Sequence, residues 1–154
     1  MPLNVVLVEP EIPQNTGNIA RTCAATGAVL HLVHPLGFRL DEKHLKRAGL
    51  DYWDKVILKT HASYAAFKEA HPQGNFYFFT TKGRCFYHEV RYRDGDFLIF
   101  GPETRGLKAE ILAEAGERAL RVPMLPGLRS LNLANTVALV LYEALRQLGF
   151  PGMV

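Results

Sequence analysis

Three short segments carry the residues of this chain that could do chemistry, and each follows a predicted strand. The first, residues 15–22 (NTGNIART), places Arg21 inside a helix of small apolar residues. A charge buried in such a helix is costly unless an anion lies next to it. We therefore expect Arg21 either to form a salt bridge with a glutamate or to contact a phosphate. Asn15 and Asn18 could each cap the helix, and that structural role would be sufficient to explain them.

The second segment, residues 98–107 (LIFGPETRGL), runs from a strand into a Gly-Pro pair. Such a pair favours a rigid, tight turn whose backbone lies close to whatever is beyond it. In α/β sheets, ligands bind where a strand end opens onto a helix. The alternative is an ordinary strand-to-helix turn in which Glu103 and Arg105 face solvent.

The third segment, residues 122–136 (VPMLPGLRSLNLANT), leads from an apolar loop into the last helix. Ser130, Asn132 and Asn135 supply more donors and acceptors than one helix cap needs. Exposed amides at a helix start also favour an anion or a carboxylate. The alternative is a helix start with redundant caps.

The elements that must position these segments alternate between strands and helices. The predicted strands are residues 3–8, 29–33, 56–58, 76–80, 97–100 and 119–122, and the predicted helices are residues 17–26, 41–48, 63–70, 107–114 and 131–148. This alternation predicts an α/β fold with a largely parallel sheet. The length of 154 residues suits one domain spanning residues 1–154.

The last predicted helix is apolar around most of its circumference, so it must be covered on several sides. A second subunit could supply that cover, or the helix could simply be central in the fold. Small residues in the first helix, at Ala20, Cys23, Ala24 and Gly27, would permit close helix approach and favour a dimer.

Composition and motifs exclude several classes. A chain with 48% hydrophobic and 21% charged residues is neither disordered nor fibrous. There is no signal peptide and no apolar run of about 18 residues, so we expect no membrane association and a cytoplasmic location. There is no GxGxxG or GxSxG motif, and the six histidines have no metal-ligand spacing, so we expect them at the surface and expect no metal.

A basic stretch at residues 82–93 indicates a nucleic-acid contact. Four cations oppose the single carboxylate of Glu89, and Phe86, Tyr87 and Tyr92 stand between them. Charges for phosphates and rings for splayed bases suit single-stranded RNA. The alternative is a solvated hairpin with core aromatics.

The order and spacing of the three segments resemble the signature motifs of the SPOUT superfamily of RNA methyltransferases. These are Asn-x-x-x-x-x-Arg, Gly-x-Glu-x-x-Gly and Ser-x-Asn before the last helix. Without an appended RNA-binding domain, the chain looks most similar to the minimal tRNA (cytidine/uridine-34)-2′-O-methyltransferases. The resemblance implies a C-terminal deep trefoil knot, a homodimer through the first and last helices, and S-adenosylmethionine as cofactor, released as S-adenosylhomocysteine. The implied reaction is methylation of the ribose 2′-hydroxyl of the wobble nucleotide in a tRNA anticodon loop. The alternatives are the same chemistry at another tRNA position or on rRNA, and a non-catalytic RNA-binding α/β protein.

The resemblance also implies roles for particular residues. The cofactor would contact Phe79, Gly101, Val122, Met124, Leu125, Ser130 and Leu131. The catalytic set would be Asn15, Arg21, Glu103, Ser130 and Asn132. Because an arginine has a pKa above about 12, we expect Arg21 to hold an RNA phosphate and stabilise the developing alkoxide rather than to act as a base. Tyr142 on the last helix is expected beside the site.

Overall fold

The computed structural model describes residues 1–40 and 53–154, and a seven-stranded sheet forms its framework. The strands are β1 (Asn4–Val8), β2 (Val29–Val33), β3 (Ile57–His61), β4 (Phe76–Phe79), β5 (Cys85–Phe86), β6 (Phe97–Phe100) and β7 (Ala119–Arg121). They lie in the order β3-β2-β1-β6-β4-β7-β5, and all six pairings are parallel. The predicted α/β fold with a parallel sheet is confirmed.

Four α-helices are present in the described ranges: α1 (Pro13–Thr26), α2 (Tyr64–Ala70), α3 (Ala109–Ala115) and α4 (Leu133–Gln147). The predicted caps explain two of their boundaries. α1 ends at Gly27, whose φ of 76° is left-handed and suits glycine. Ser63 begins α2, because its hydroxyl oxygen accepts the amide hydrogen of Ala66 at 3.0 Å. The predicted helix at residues 41–48 lies outside the described residues. No described helix has the length and apolar character needed to cross a membrane.

The sheet is packed on both faces, which explains why β1 is apolar at nearly every position. Val5 and Leu7 point to the face covered by α1 and α4, whereas Val6 and Val8 point to the face covered by α2 and α3. All four side chains are buried. The three motif segments therefore follow the carboxyl ends of strands that this packing holds in place.

Helix α1 begins at Pro13 rather than at Gly17, so it has one more turn than predicted. Proline suits the first position of a helix, since the amide it lacks would have no partner inside the helix. The third strand begins at Ile57 and continues to His61, beyond the predicted residues 56–58. These are shifts of boundary, and the elements themselves are as predicted.

Two other features differ from what the sequence suggested. The hairpin considered as the alternative for the basic stretch does not form, because β5 pairs in parallel with β7 through Cys85 and Leu120. A strand of two residues is too short to leave a pattern. The histidines are not all at the surface, since His31 in β2 is 0% exposed.

Candidate active site

The three motif segments meet at Asn15. Its side-chain amide donates a hydrogen bond of 3.2 Å to Oε2 of Glu103, and its Oδ1 accepts one of 3.2 Å from Asn132. These bonds join positions 88 and 117 residues apart in the chain. Asn15 is only 8% exposed, so both halves of its amide need such partners. One buried amide thus links the start of α1, the loop after β6 and the start of α4.

Glu103 supplies the cap that α1 lacks in its own sequence. Ile12 occupies the cap position and has no side-chain oxygen. The carboxylate of Glu103 instead accepts the amide hydrogens of Glu11 and Ile12, both at 2.8 Å. A negative charge is stabilising at the positive end of a helix dipole. Glu103 therefore holds the entrance of α1 against the loop that follows β6.

Glu11 completes a reciprocal clasp. Its carboxylate accepts a hydrogen bond of 2.9 Å from the backbone amide of Thr104 and one of 2.7 Å from the Thr104 hydroxyl. These bonds lower the pKa of Glu11, because they stabilise its ionised form. Arg129, in the third segment, donates to the backbone carbonyl of Thr104 at 3.3 Å. Glu11, just before α1, and Arg129, in the third segment, therefore both hold the turn at Thr104.

Gly101 permits this turn to fold back on itself. A Cβ at Gly101 would lie 2.4 Å from the backbone nitrogen of Leu107, a distance that no other residue could tolerate without movement of the loop. Gly83 is equally confined, since its Cβ would lie 2.4 Å from the carbonyl carbon of Leu120. Glycine is needed at both places for close approach of backbone to backbone.

A cavity of about 340 Å³ opens between these loops, a size within the usual range for small-molecule sites. Six of the seven predicted cofactor contacts line it: Phe79, Gly101, Val122, Met124, Ser130 and Leu131. The seventh, Leu125, is 81% exposed and is not among the described lining residues. Of the predicted catalytic set, Glu103 and Ser130 line the cavity, whereas Asn15 and Asn132 are not among its lining residues.

Comparison with known proteins identifies the family. Residues 2–142 match the SpoU rRNA Methylase family. The chain belongs to this family. It is 54% identical over 153 residues to a protein of Escherichia coli (strain K12) named tRNA (cytidine(34)-2′-O)-methyltransferase, covering 99% of this chain and 98% of that one.

Solved structures agree with this assignment. One, described as "Structural insights into the 2-OH methylation of C/U34 on tRNA", has a TM-score of 0.90 and 52% identity, with 96% of each chain covered. Another is an AdoMet-bound rRNA methyltransferase from Sinorhizobium meliloti, with a TM-score of 0.85 and 27% identity. The match covers 96% of this chain and 57% of that one. The resemblance to SPOUT methyltransferases based on the three motifs is confirmed.

Arg21, the arginine of the first family motif, does not lie where its helix suggested. Only one face of α1 is buried, through residues such as Ile19, Ala20 and Cys23, and Arg21 lies on the exposed face. The premise that a small-residue helix buries this charge was wrong for the single chain. Arg21 is also not among the described residues that line the cavity.

A second cavity of about 270 Å³ shares part of its wall with the first, through Lys82 and the turn after β6 that contains Pro102 and Arg105. Lys108 Nζ lies 3.0 Å from one carboxylate oxygen of Glu9, and Arg105 Nη2 lies 3.9 Å from the other. The described lining of this cavity holds three cations, Lys82, Arg105 and Lys108, but one carboxylate, Glu9, which leaves positive charge for an anion. The three motifs did not predict this cavity, although Arg105 lies in the second segment and Lys108 directly follows it.

The basic stretch at residues 82–93 keeps only part of its predicted character. Its four cations are exposed, and Phe86 is partly exposed. Tyr92 is 2% exposed, packs edge-on against Tyr77 at 5.3 Å, and donates its hydroxyl hydrogen to the carbonyl of Tyr87. Burial raises the pKa of Tyr92. This ring belongs to the core and cannot stack on a base, so that part of the prediction was wrong.

Proposed function

We propose that this protein transfers a methyl group from S-adenosylmethionine to the ribose 2′-hydroxyl of the wobble nucleotide, cytidine or uridine 34, of tRNA. The observation that carries the proposal is the hydrogen-bonded junction of the three motifs at Asn15, beside a cavity of ligand size. The names of the E. coli relative and of the C/U34 structure support this choice of substrate.

The cavity suits the cofactor in size and in lining. Apolar side chains, among them Val122, Met124 and Leu131, offer a slot for an adenine ring, and the loop at Gly101 also lines the cavity. The cofactor would supply a methyl group made electrophilic by its sulfonium. The protein must then hold a ribose hydroxyl in line with that methyl group, which is a task of proximity and orientation.

We assign the predicted catalytic set two kinds of role. Glu103 and Ser130 face the cavity and can touch the cofactor or the ribose. Asn15 and Asn132 act through them: Asn132 also caps α4 by accepting the amide hydrogen of Asn135 at 3.1 Å. These two asparagines are positioning residues that keep the three loops in one arrangement.

The position of Arg21 favours a site completed by a second copy of the chain. α4 exposes apolar side chains at Leu139 and Tyr142, and Leu131 in the loop before it is also exposed. We propose a homodimer through α1 and α4 in which Arg21 of one protomer reaches the cavity of its partner and holds an RNA phosphate there. A monomer mass in light scattering at working concentration would contradict this arrangement.

RNA would enter from the basic side of the cavity. Lys82, Arg105 and Lys108 provide phosphate contacts next to the methyl-transfer site, and the exposed cations at residues 84–93 extend this surface. We propose that this surface binds the anticodon loop. We also propose that residues 1–154 act as one SPOUT domain with a C-terminal trefoil knot, and that it works in the cytoplasm, where tRNA is found.

The direct test compares two tRNAs that differ by one oxygen. The first is an unmodified substrate tRNA with a pyrimidine at position 34, and the second carries 2′-deoxyribose at that position alone. Methyl transfer from labelled S-adenosylmethionine should occur to the first and be lost with the second. Equal transfer to both would contradict the proposed target, and transfer only to rRNA would favour the alternative substrate.

A further inference from the structure

Three histidines from separate elements converge on the sheet face that carries α2. His31 lies in β2, His61 ends β3, and His71 follows α2. Each ring offers a nitrogen, and the three nitrogens lie within 4.8 Å of one another. The cluster is separate from the methyl-transfer cavity, because none of the described residues that line that cavity belongs to β2, β3 or α2.

His31 is held so that one nitrogen faces the cluster. Asn4 donates its amide hydrogen to the carbonyl of Gly95 at 3.1 Å, which leaves its Oδ1 as the acceptor for Nε2–H of His31 at 2.9 Å. Nδ1 of His31 therefore carries a lone pair, which points at Nε2 of His61 at 3.0 Å. Histidines that bind metals are typically oriented in this way by an acceptor on the other ring nitrogen.

His71 brings a nitrogen that the cluster does not satisfy. Its Nε2 is buried and makes no hydrogen bond to any described residue. Its ring packs against Phe97 at 4.7 Å and Phe67 at 5.2 Å, so the polar atom lies beside an apolar wall. A buried polar atom without a partner is uncommon and points to a ligand or a water molecule.

The surroundings of the three rings disfavour their charged forms. Burial lowers the pKa of His31 to about 3, with repulsion from His61 and His71 adding to the effect. Burial also lowers the pKa of His61 and of His71. Neutral imidazole is the form that binds metals.

We propose that His31, His61 and His71 form a binding site for Zn²⁺ through three imidazole nitrogens. Three neutral imidazoles suit a borderline-soft divalent ion, and they leave a fourth position for water. Since His61 Nε2 donates to His31 in the hydrogen-bonded cluster, its proton must move to Nδ1 of the same ring when the ion binds, which keeps the imidazole neutral. The ion would tie edge strand β3 and α2 to the buried strand β2. This inference is independent of the proposed methyl transfer.

Lys59 should weaken the binding of the ion, so a variant at this position provides a control that leaves all three histidines intact. Its charge lowers the pKa of all three histidines, so it must also repel a divalent cation at the same place. Lys59→Gln should therefore raise the affinity for Zn²⁺ several-fold.

The test is a Zn²⁺ titration of the untagged full chain, first freed of metal, in competition with a chromophoric chelator. One Zn²⁺ should bind per chain, and Co²⁺ at the same site should show the visible absorption of a tetrahedral ion. His61→Ala and His71→Ala should each weaken binding at least about tenfold, since the loss of an outer-shell partner alone costs roughly 10–100-fold. His88→Ala, an exposed histidine elsewhere, should bind as the wild type does.

Thermal unfolding in EDTA verifies that each variant is folded before its affinity is measured. Absence of stoichiometric binding by the wild type would overturn the proposal. So would an unchanged affinity in both His61→Ala and His71→Ala, or an equal loss in His88→Ala. Any of these results would leave the cluster as hydrogen-bonded ring packing.

Discussion

Asn15 donates a hydrogen bond to Glu103 and thereby connects two helix starts, because it accepts another from Asn132. Glu103 caps α1 and Asn132 caps α4. The bonds that begin these two helices are thus the same bonds that bring the family motifs together. Stability of the fold and geometry of the site are coupled through one buried amide.

Replacing Asn15 tests that coupling. Asn15→Ala removes two hydrogen bonds from a buried position and should lower the free energy of unfolding by about 1–3 kcal/mol. Asn15→Asp should cost more at neutral pH, because it places a second carboxylate next to Glu103. Both should weaken cofactor binding, measured by calorimetry. Asn18→Ala, an exposed asparagine on the same helix, is the matched control and should change neither quantity.

Arg21→Ala separates catalysis from cofactor binding. Since Arg21 is not among the described lining residues, the affinity for S-adenosylmethionine should stay near that of the wild type. The rate of methyl transfer should fall by about 10²-fold or more if the guanidinium stabilises developing charge. Arg39→Ala removes an exposed arginine elsewhere and should retain the rate. Normal methylation by Arg21→Ala would show that Arg21 has no catalytic part.

Lys108, with Lys68 as its matched control, tests whether the second cavity contributes to tRNA binding. Each lysine is exposed and lies about 3 Å from a glutamate oxygen, but only Lys108 borders the cavity beside the site. Lys108→Gln should weaken tRNA binding and reduce the salt dependence of that binding by about one ion, without changing cofactor affinity. Lys68→Gln should do neither. Equal effects of both variants would mean that the pocket has no particular role.

The buried histidine predicts how stability changes with pH in EDTA. The pKa of His31 is about 3 in the folded protein and near 6.5 in the unfolded chain, so the unfolded chain binds more protons between these values. Its contribution to stability is therefore complete above pH 6.5 and is lost as the pH falls from 6.5 towards 3. The urea midpoint should drop between pH 7.5 and 5.5, and His31→Gln should drop less. An equal drop in both proteins would contradict the role of His31.

The sequence predicted the limits of those elements that depend only on neighbouring residues. Val29–Val33 and Phe97–Phe100 were predicted to the residue, because strands buried on both faces are mostly apolar, with His31 as the one polar residue of the two. The start of α1 was predicted too late, because its cap comes from Glu103, far away in the chain. No local signal could reveal that contact.

In the candidate site, too, some features could be predicted from the motifs, whereas others depend on the fold. Motif order brought Asn15, Glu103 and Asn132 together correctly, yet their mutual bonds are long-range facts that only the fold supplies. The exposure of Arg21 and the burial of Tyr92 depend on which side of an element faces the core. The histidine cluster joins residues with no metal-ligand spacing, because the parallel sheet and α2 gather them.

The most direct measurement is methyl transfer from labelled S-adenosylmethionine to unmodified bulk tRNA, followed by mapping of the labelled nucleotide. We predict label on the ribose of nucleotide 34, restricted to tRNAs with a pyrimidine there. Label on a base, on another nucleotide, or on no tRNA while the cofactor still binds would contradict this prediction.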